Sequence, residues 1–182
     1  MADRPVAMLP RSSPAAADAL LHPAAIAALG LLLLNDHYLK SAVGGPVTGK
    51  LSDFAGVAFF PLLLLGTWEL AQAGLGRWMG PGARAHVVAV LATGLGFALV
   101  KSSPGAAASF GWLLGTAQWL LGSPLRLLGG EPLEPVNQAV VLVDPTDLVA
   151  LVALGIPLAI AGNRANRSRR RTDATLLQVP AR

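Results

Sequence analysis

Cysteine is missing from this chain of 182 residues. Disulfides, thiolate nucleophiles and cysteine-ligated zinc or iron–sulfur centres are excluded with it. Charge is scarce as well: Asp, Glu, Lys and Arg make up 13% of the sequence, where about 25% is usual for a soluble domain. Three familiar site patterns are also missing. There is no HExxH and no serine-nucleophile elbow. The run Gly44-Gly45-Pro46-Val47-Thr48-Gly49-Lys50 departs from the phosphate-binding G-x-x-x-x-G-K-[ST] pattern, and no strand precedes it. A net charge of +4 and a pI near 10.3 do not point to nucleic acid, because the arginines cluster beside apolar segments, as membrane topology requires.

What is present is apolar. Hydrophobic residues are 53% of the chain and the mean hydropathy is +0.56. This predicts an all-α integral membrane protein, with room for four spans in one compact bundle. The spans are expected over residues 15–39, 54–73, 83–100 and 144–162. The first reads as an uncleaved signal-anchor, since Asn35-Asp36-His37 directly after the leucine run is a poor cleavage region. Residues 106–121 carry no charge. A fifth crossing there would translocate the arginine-rich end of the chain, against the positive-inside rule. This segment is therefore expected to lie in the interface or to re-enter the membrane. Residues 1–14 are expected to be a flexible cytoplasmic N-terminus, and 163–182 a basic cytoplasmic tail.

With four spans, both termini are cytoplasmic. Arg4, Arg11, Arg77, Arg84, Arg164, Arg167, Arg169, Arg170, Arg171 and Arg182 fall inside, and Lys40, Lys50, Lys101 and Arg126 outside. The outer face then collects five polar clusters at helix ends or in loops: residues 35–40, 48–53, 101–103, Glu131 with Glu134, and 144–147. Ionisable residues at membrane depth are costly and are usually paired or functional. Asp36, His37, Asp53, Asp144 and Asp147 are the candidate acid/base or metal-binding groups. Lys50 and Lys101 are the candidate anion contacts, with Asn35 beside them as a further ligand-binding candidate.

Each cluster also has a purely structural reading. Asp144 with Pro145 and Asp147 fits an N-cap, a first-turn proline and an acid facing the helix dipole. Thr48 or Ser52 fits the cap of the second helix. Asp36 and Lys40 fit an i,i+4 pair. Glu69 is expected to snorkel or to pair with Arg77 or Arg84, and Gly56, Gly66 and Gly94-Leu95-Gly96 are expected to let the second and third spans pack closely.

The blocks LNDHYLK, TGKLSDFAG and VDPTDLVAL resemble an uncharacterised family of small bacterial polytopic membrane proteins. There is a likeness of architecture also to VanZ-like proteins, which are small four-helix membrane proteins with an Asp leading into the last span. Both resemblances imply a bacterial inner-membrane location, and neither brings an activity or a cofactor. The partners expected are the lipid bilayer and a lipid-linked or anionic ligand, with no nucleic acid. A transporter or proton-coupled component, and a structural or accessory subunit, are the alternative readings.

The arginine distribution makes the topology testable. Reporter fusions after Arg77 and after Arg171 should read cytoplasmic, and fusions near Gly45 and Glu131 extracytoplasmic. A translocated C-terminus would overturn the map.

Overall fold

The computed structural model describes residues 15–176. The expected flexible segment 1–14 and the end of the basic tail, 177–182, lie outside the described residues. All regular secondary structure in the described residues is helical. After a short 3₁₀ turn at Asp18–Leu21, helix α1 (Pro23–Leu34) starts with a proline at its first position. It runs on through a π-helical turn, Asn35–Leu39, and a last α turn, Lys40–Ala42. Gly44 and Gly45 then reverse the chain at φ 62° and 88°, where a side chain would be strained. Helix α2 is Pro46–Gly74, α3 is Ala83–Ser102 and α4 is Pro104–Leu128. The final helix opens as a 3₁₀ stretch, Pro145–Leu154, and continues as α5, Gly155–Leu176.

Three helical stretches are long and apolar enough to cross a membrane: Val47–Gly74, Ala83–Ser102 and Pro145–Arg164. Helix α2 is the hub and packs against α1, α3 and the final helix. Its buried positions Ala55, Ala58, Leu62, Leu65 and Glu69 recur every three or four residues, which is one helix face. Two core clusters form on it. One joins Ala25, Leu62, Leu65, Ala89 and Ile160, and the other joins Ala28, Val57, Ala58, Ala150 and Ala153. Alanine dominates the second and contributes to the first, and small side chains are what let helices approach closely in lipid.

Helix α2 begins at Pro46, eight residues before the expected start. Thr48, Lys50, Ser52 and Asp53 therefore lie within its first two turns. No side chain caps it. The Thr48 hydroxyl donates to the Gly45 carbonyl at 2.9 Å, and Ser52 bonds to Asp36. The sequence suggests a loop here because Gly49 and a cluster of polar residues interrupt the hydropathy. The helix holds because those polar groups have partners on other helices.

The final helix explains how a short apolar run reaches far. A 3₁₀ helix rises about 2.0 Å per residue against 1.5 Å for an α-helix, so the first ten residues gain length. The face that is buried changes period with the helix type. Asp147, Ala150 and Ala153 recur at three residues, then Pro157, Ile160 and Arg164 at three or four. From Asp147 to Arg164 this face covers about 30 Å, which is the thickness of a bilayer's hydrocarbon core.

Between α3 and the final helix the chain makes an excursion that leaves and returns at one end. Helix α4 starts beside Lys101, and the final helix starts at Asp147, which bonds Lys101 at 2.8 Å. The expected segment 106–121 is the middle of the longer α4. Residues 131–144 come back extended along it. The Ala139 amide donates to the Gly111 carbonyl at 3.0 Å, and the Trp119 indole donates to the Glu134 carbonyl at 2.7 Å. A Cβ at Gly111 or Gly115 would run into the carbonyl of Ala139 or Asn137, so both glycines are needed for this close approach.

Two packing expectations change. Helices α2 and α3 do pack together, but Gly66 and Gly94 serve other contacts, and Gly56 and Gly96 border a hollow between the two helices. A Cβ on Gly94 would lie 2.8 Å from Leu154 Cδ1 on the final helix, and one on Gly66 would lie 2.6 Å from Leu20 Cδ1. Glu69 pairs with neither Arg77 nor Arg84. It is 1% exposed and takes the Arg164 guanidinium at 3.3 and 3.4 Å and the Ala17 amide at 2.8 Å. Arg164 also holds Asp18, and buried His86 lies in the field of both Glu69 and Arg164. The reason is helix adjacency, not distance along the chain: Arg164 reaches Glu69 because α2 and α5 are side by side. Arg164 thus belongs to the bundle and not to a free tail.

Removing one partner of a buried pair leaves an uncompensated charge. Arg164→Met should therefore lower stability by about 3–5 kcal/mol in chemical unfolding from detergent micelles. Adding Glu69→Leu to it should restore most of that loss. A double variant as unstable as Arg164→Met alone would show that the pair is not what holds α5 to α2.

Candidate functional site

At the end of the molecule opposite Glu69, side chains from three helices meet. Lys101 closes α3, four residues after Phe97, and its ammonium lies 5.6 Å from that ring's centroid, within cation–π range. The same ammonium donates to Asp53 Oδ2 of α2 and to Asp147 Oδ2 of the final helix, both at 2.8 Å. The other Asp147 oxygen accepts from Lys50 Nζ at 2.7 Å. Lys50 also donates to the Thr146 hydroxyl at 2.7 Å and lies 3.9 Å from Asp144 Oδ2. One carboxylate thus bridges two lysines from two other helices. Its side chain is 8% exposed.

Asp144 has the cap geometry. Its Oδ1 accepts from the Thr146 hydroxyl at 2.7 Å and the Thr146 amide at 2.9 Å. These bonds, led by the hydroxyl, hold the Asp144 carboxyl below the usual carboxylate range. The second oxygen stays free for the distant Lys50. A cap and a site residue are therefore the same side chain, because only one of its two oxygens is used by its own helix.

Residues 35–40 serve a different purpose. Asn35 is fully buried in the π-helical turn. It donates to the Thr48 carbonyl at 2.7 Å and to Ser52 Oγ at 2.6 Å, which ties α1 to α2. Ser52 passes the chain on to Asp36 at 2.9 Å, and Asp36 pairs with Lys40 at 2.7 Å. The wider π turn brings Asn35 and Asp36 onto the side that meets α2, a use of π turns that recurs at working sites. His37 is exposed and does not line the cavity described below. Asp147 is saturated by lysines instead. Glu131 is exposed too, and Glu134 pairs with Arg126 at 2.9 Å, beside a separate pocket under α4. Those two acids do not join the site.

The ion pairs line a cavity of about 700 Å³. Lys50, Asp53, Lys101, Asp144 and Asp147 form its polar wall. Phe110 and Leu114 of α4, with Val140, Val141 and Leu142 of the returning strand-like segment, form the apolar one. A second hollow of about 280 Å³ shares Ser52, Asp53, Phe97, Val100 and Phe110 with it. That hollow is nearly all apolar and follows α2 and α3 past Gly56 and Phe60 to Leu64. Beyond the shared Ser52 and Asp53, its one polar side chain is Thr93, whose hydroxyl donates to the Ala89 carbonyl at 2.8 Å.

Among the described residues no group of three or more His, Asp and Glu side chains is placed to hold a metal ion. In this cavity a lysine stands between the acids that converge. Sequence reasoning weighed Ser52 only as a helix cap, and did not single out Thr146 or Phe97 as partners, nor the Glu69–Arg164 cluster. The available signals were Phe97 at i−4 from Lys101, and His86, Thr93 and Lys101 at steps of seven and eight on one α3 face.

No known protein family, curated protein or solved structure matches the chain. The fold and site define an all-helical protein with three helices able to cross a membrane and a mixed-charge cavity at one end of them.

Contact predicts coupling. In a double-mutant cycle on stability, Asp53→Asn and Lys101→Gln should show an interaction energy of about 1–3 kcal/mol, while His37→Gln and Asp147→Asn should add within about 0.5 kcal/mol. Additive behaviour of Asp53 with Lys101 would remove the shared site.

Proposed function

We propose that this is a multi-pass bacterial inner-membrane protein whose polar cavity faces the extracytoplasmic side and binds the head of a lipid-linked or anionic ligand. In this reading α1 with its π turn is the fourth crossing of a four-helix bundle. From Pro23 to Ala42 it is twenty residues of unbroken helix, about 30 Å long. Helix α4 lies in or re-enters the interface, which accords with a chain that leaves and returns beside Lys101. Both termini are cytoplasmic. The arginine bias supports this, as does the placement of the Arg164 cluster and the Lys101 cluster about 30 Å apart. The resemblance to small bacterial polytopic proteins supports the location.

The observation that carries the binding reading is the continuity of a charged cavity with an apolar hollow. Ligand sites combine apolar walls with a few convergent polar groups. Asp53, Asp144, Asp147, Lys50 and Lys101 supply those groups, and Asp36 and Asn35 position α1 against them. A structural reading keeps one specific support: Lys101 is already engaged by two carboxylates, so the cluster also works as an ion-pair lid over the helix ends.

A cavity plug separates the two. Gly49 lines the cavity, and a Cβ there has nothing within 4 Å, so a large side chain fits without disturbing the fold. Native mass spectrometry of the protein extracted from its own membrane should show a retained amphiphile on the wild type. Gly49→Trp should lose it at unchanged thermal stability. A wild type that carries nothing, with Gly49→Trp indistinguishable from it, favours the lid.

A further inference from the structure

We infer that the occupant is a phospholipid whose head carries a primary amine beside its phosphate, with one acyl chain lying in the hollow between α2 and α3. The inference rests on the binding reading above and specifies its ligand.

The hollow has the dimensions of one chain in one leaflet. It runs from Asp53 to Leu64 along α2, about 16 Å of helix, against about 15 Å for half of the hydrocarbon core. Gly56 and Gly96 face each other's helices there without a Cβ, and nothing lies within 4 Å of where one would be. The outer rim is open, since Phe60 and Leu64 are 42% and 36% exposed. A chain can therefore enter sideways from lipid while its head slides into the polar cavity.

The charges choose the head. Lys40, which also lines the cavity, is spent on Asp36 at 2.7 Å. Lys50 and Lys101 then face Asp53, Asp144 and Asp147, two cations against three anions. A purely anionic head would enlarge that excess, whereas a head whose ammonium balances its phosphate adds nothing to it. The positions agree with the count. Lys50 and Asp144 stand at the mouth, 36% and 38% exposed, and their charges are 3.9 Å apart, at the outer limit of an ion pair. Lys50 has used two of its three donors, on Thr146 and Asp147, and Asp144 Oδ2 has no closer cation. A head lying over this pair, with its phosphate beside Lys50 and its ammonium beside Asp144, sets each charge next to an opposite one. Phosphate alone would sit beside an unneutralised Asp144.

The experiment uses the full-length protein, delipidated in detergent and titrated in native mass spectrometry. The probes are dioleoyl phosphatidylethanolamine, dioleoyl phosphatidylglycerol and water-soluble phosphoethanolamine. The ethanolamine lipid should bind about tenfold or more tighter than the glycerol lipid, the size of one charge-assisted hydrogen bond. Asp144→Asn should erase that preference. Asparagine caps a helix as well as aspartate does, so this variant keeps the fold and removes only the charge. Gly56→Trp should weaken both lipids and leave phosphoethanolamine unchanged. Tighter binding of the glycerol lipid, or a preference that survives Asp144→Asn, overturns the head assignment and leaves the binding reading standing. Phosphoethanolamine binding as tightly as its lipid, with Gly56→Trp silent, overturns the chain in the hollow. Failure of all three probes to bind the wild type overturns the inference, and the reading it rests on falls with it only where the wild type from its own membrane also carries no amphiphile.

Discussion

The carboxylate of Asp147 is the one contact on which the polar end of the structure depends. It sits on the buried face of a 3₁₀ stretch and gives one oxygen to Lys50 of α2 and the other to Lys101 of α3. Neither lysine has an equivalent partner on its own helix. Three helices are thus fixed in depth relative to one another by a single side chain. Breaking a buried pair by removing one partner costs about 3–5 kcal/mol, and here one removal would take a carboxylate from two cations at once, leaving Lys101 with Asp53 alone and Lys50 with the 3.9 Å contact to Asp144. The start of the last helix, the end of the third and the register of the second all follow from that geometry. So does the cavity they surround.

The other end has its own lock. Arg164 gathers Glu69 of α2 and Asp18 of the first turn, and Glu69 also caps the Ala17 amide. Between the two locks the core clusters are apolar, built of alanine, leucine, valine, isoleucine and phenylalanine. In lipid such contacts provide packing but little hydrophobic drive, since the solvent is as apolar as the side chains. Specific depth and rotation therefore come from the ionic ends. The 3₁₀ geometry matters for the same reason: it sets Asp147 and Arg164 on one face at a separation that matches the other helices.

The cavity owes its mixed character to which element closes it. Helices α2, α3 and the final helix bring the charges. Helix α4 and the extended return segment bring Phe110, Leu114 and the valines at 140 and 141. A bundle closed by a short loop would have left the ion pairs open to solvent, where exposed pairs contribute little. The long excursion covers them, and the two glycines of α4 let the backbone of the return segment lie directly on the helix.

Much of this was legible in the sequence, and the reason is local. Hydropathy identifies α2, α3 and the final helix because a crossing helix needs a long apolar run whatever surrounds it. Pro145 after Asp144 marks a helix start through chemistry within four residues. The same locality explains the meeting of Lys101 with Asp53 and Asp147: helix ends of alternating direction must share a face. Tertiary structure decided the rest. Whether His37 or Lys50 reaches Asp147 depends on the rotation of α1, which a π turn at Asn35 resets. Whether Glu69 finds Arg84 or Arg164 depends on which helices are neighbours, not on distance along the chain. The early start of α2 needed partners for Lys50, Ser52 and Asp53 that only other helices supply. Residue type and spacing determine which groups are costly to bury, whereas only the packed bundle determines which of them pay that cost together.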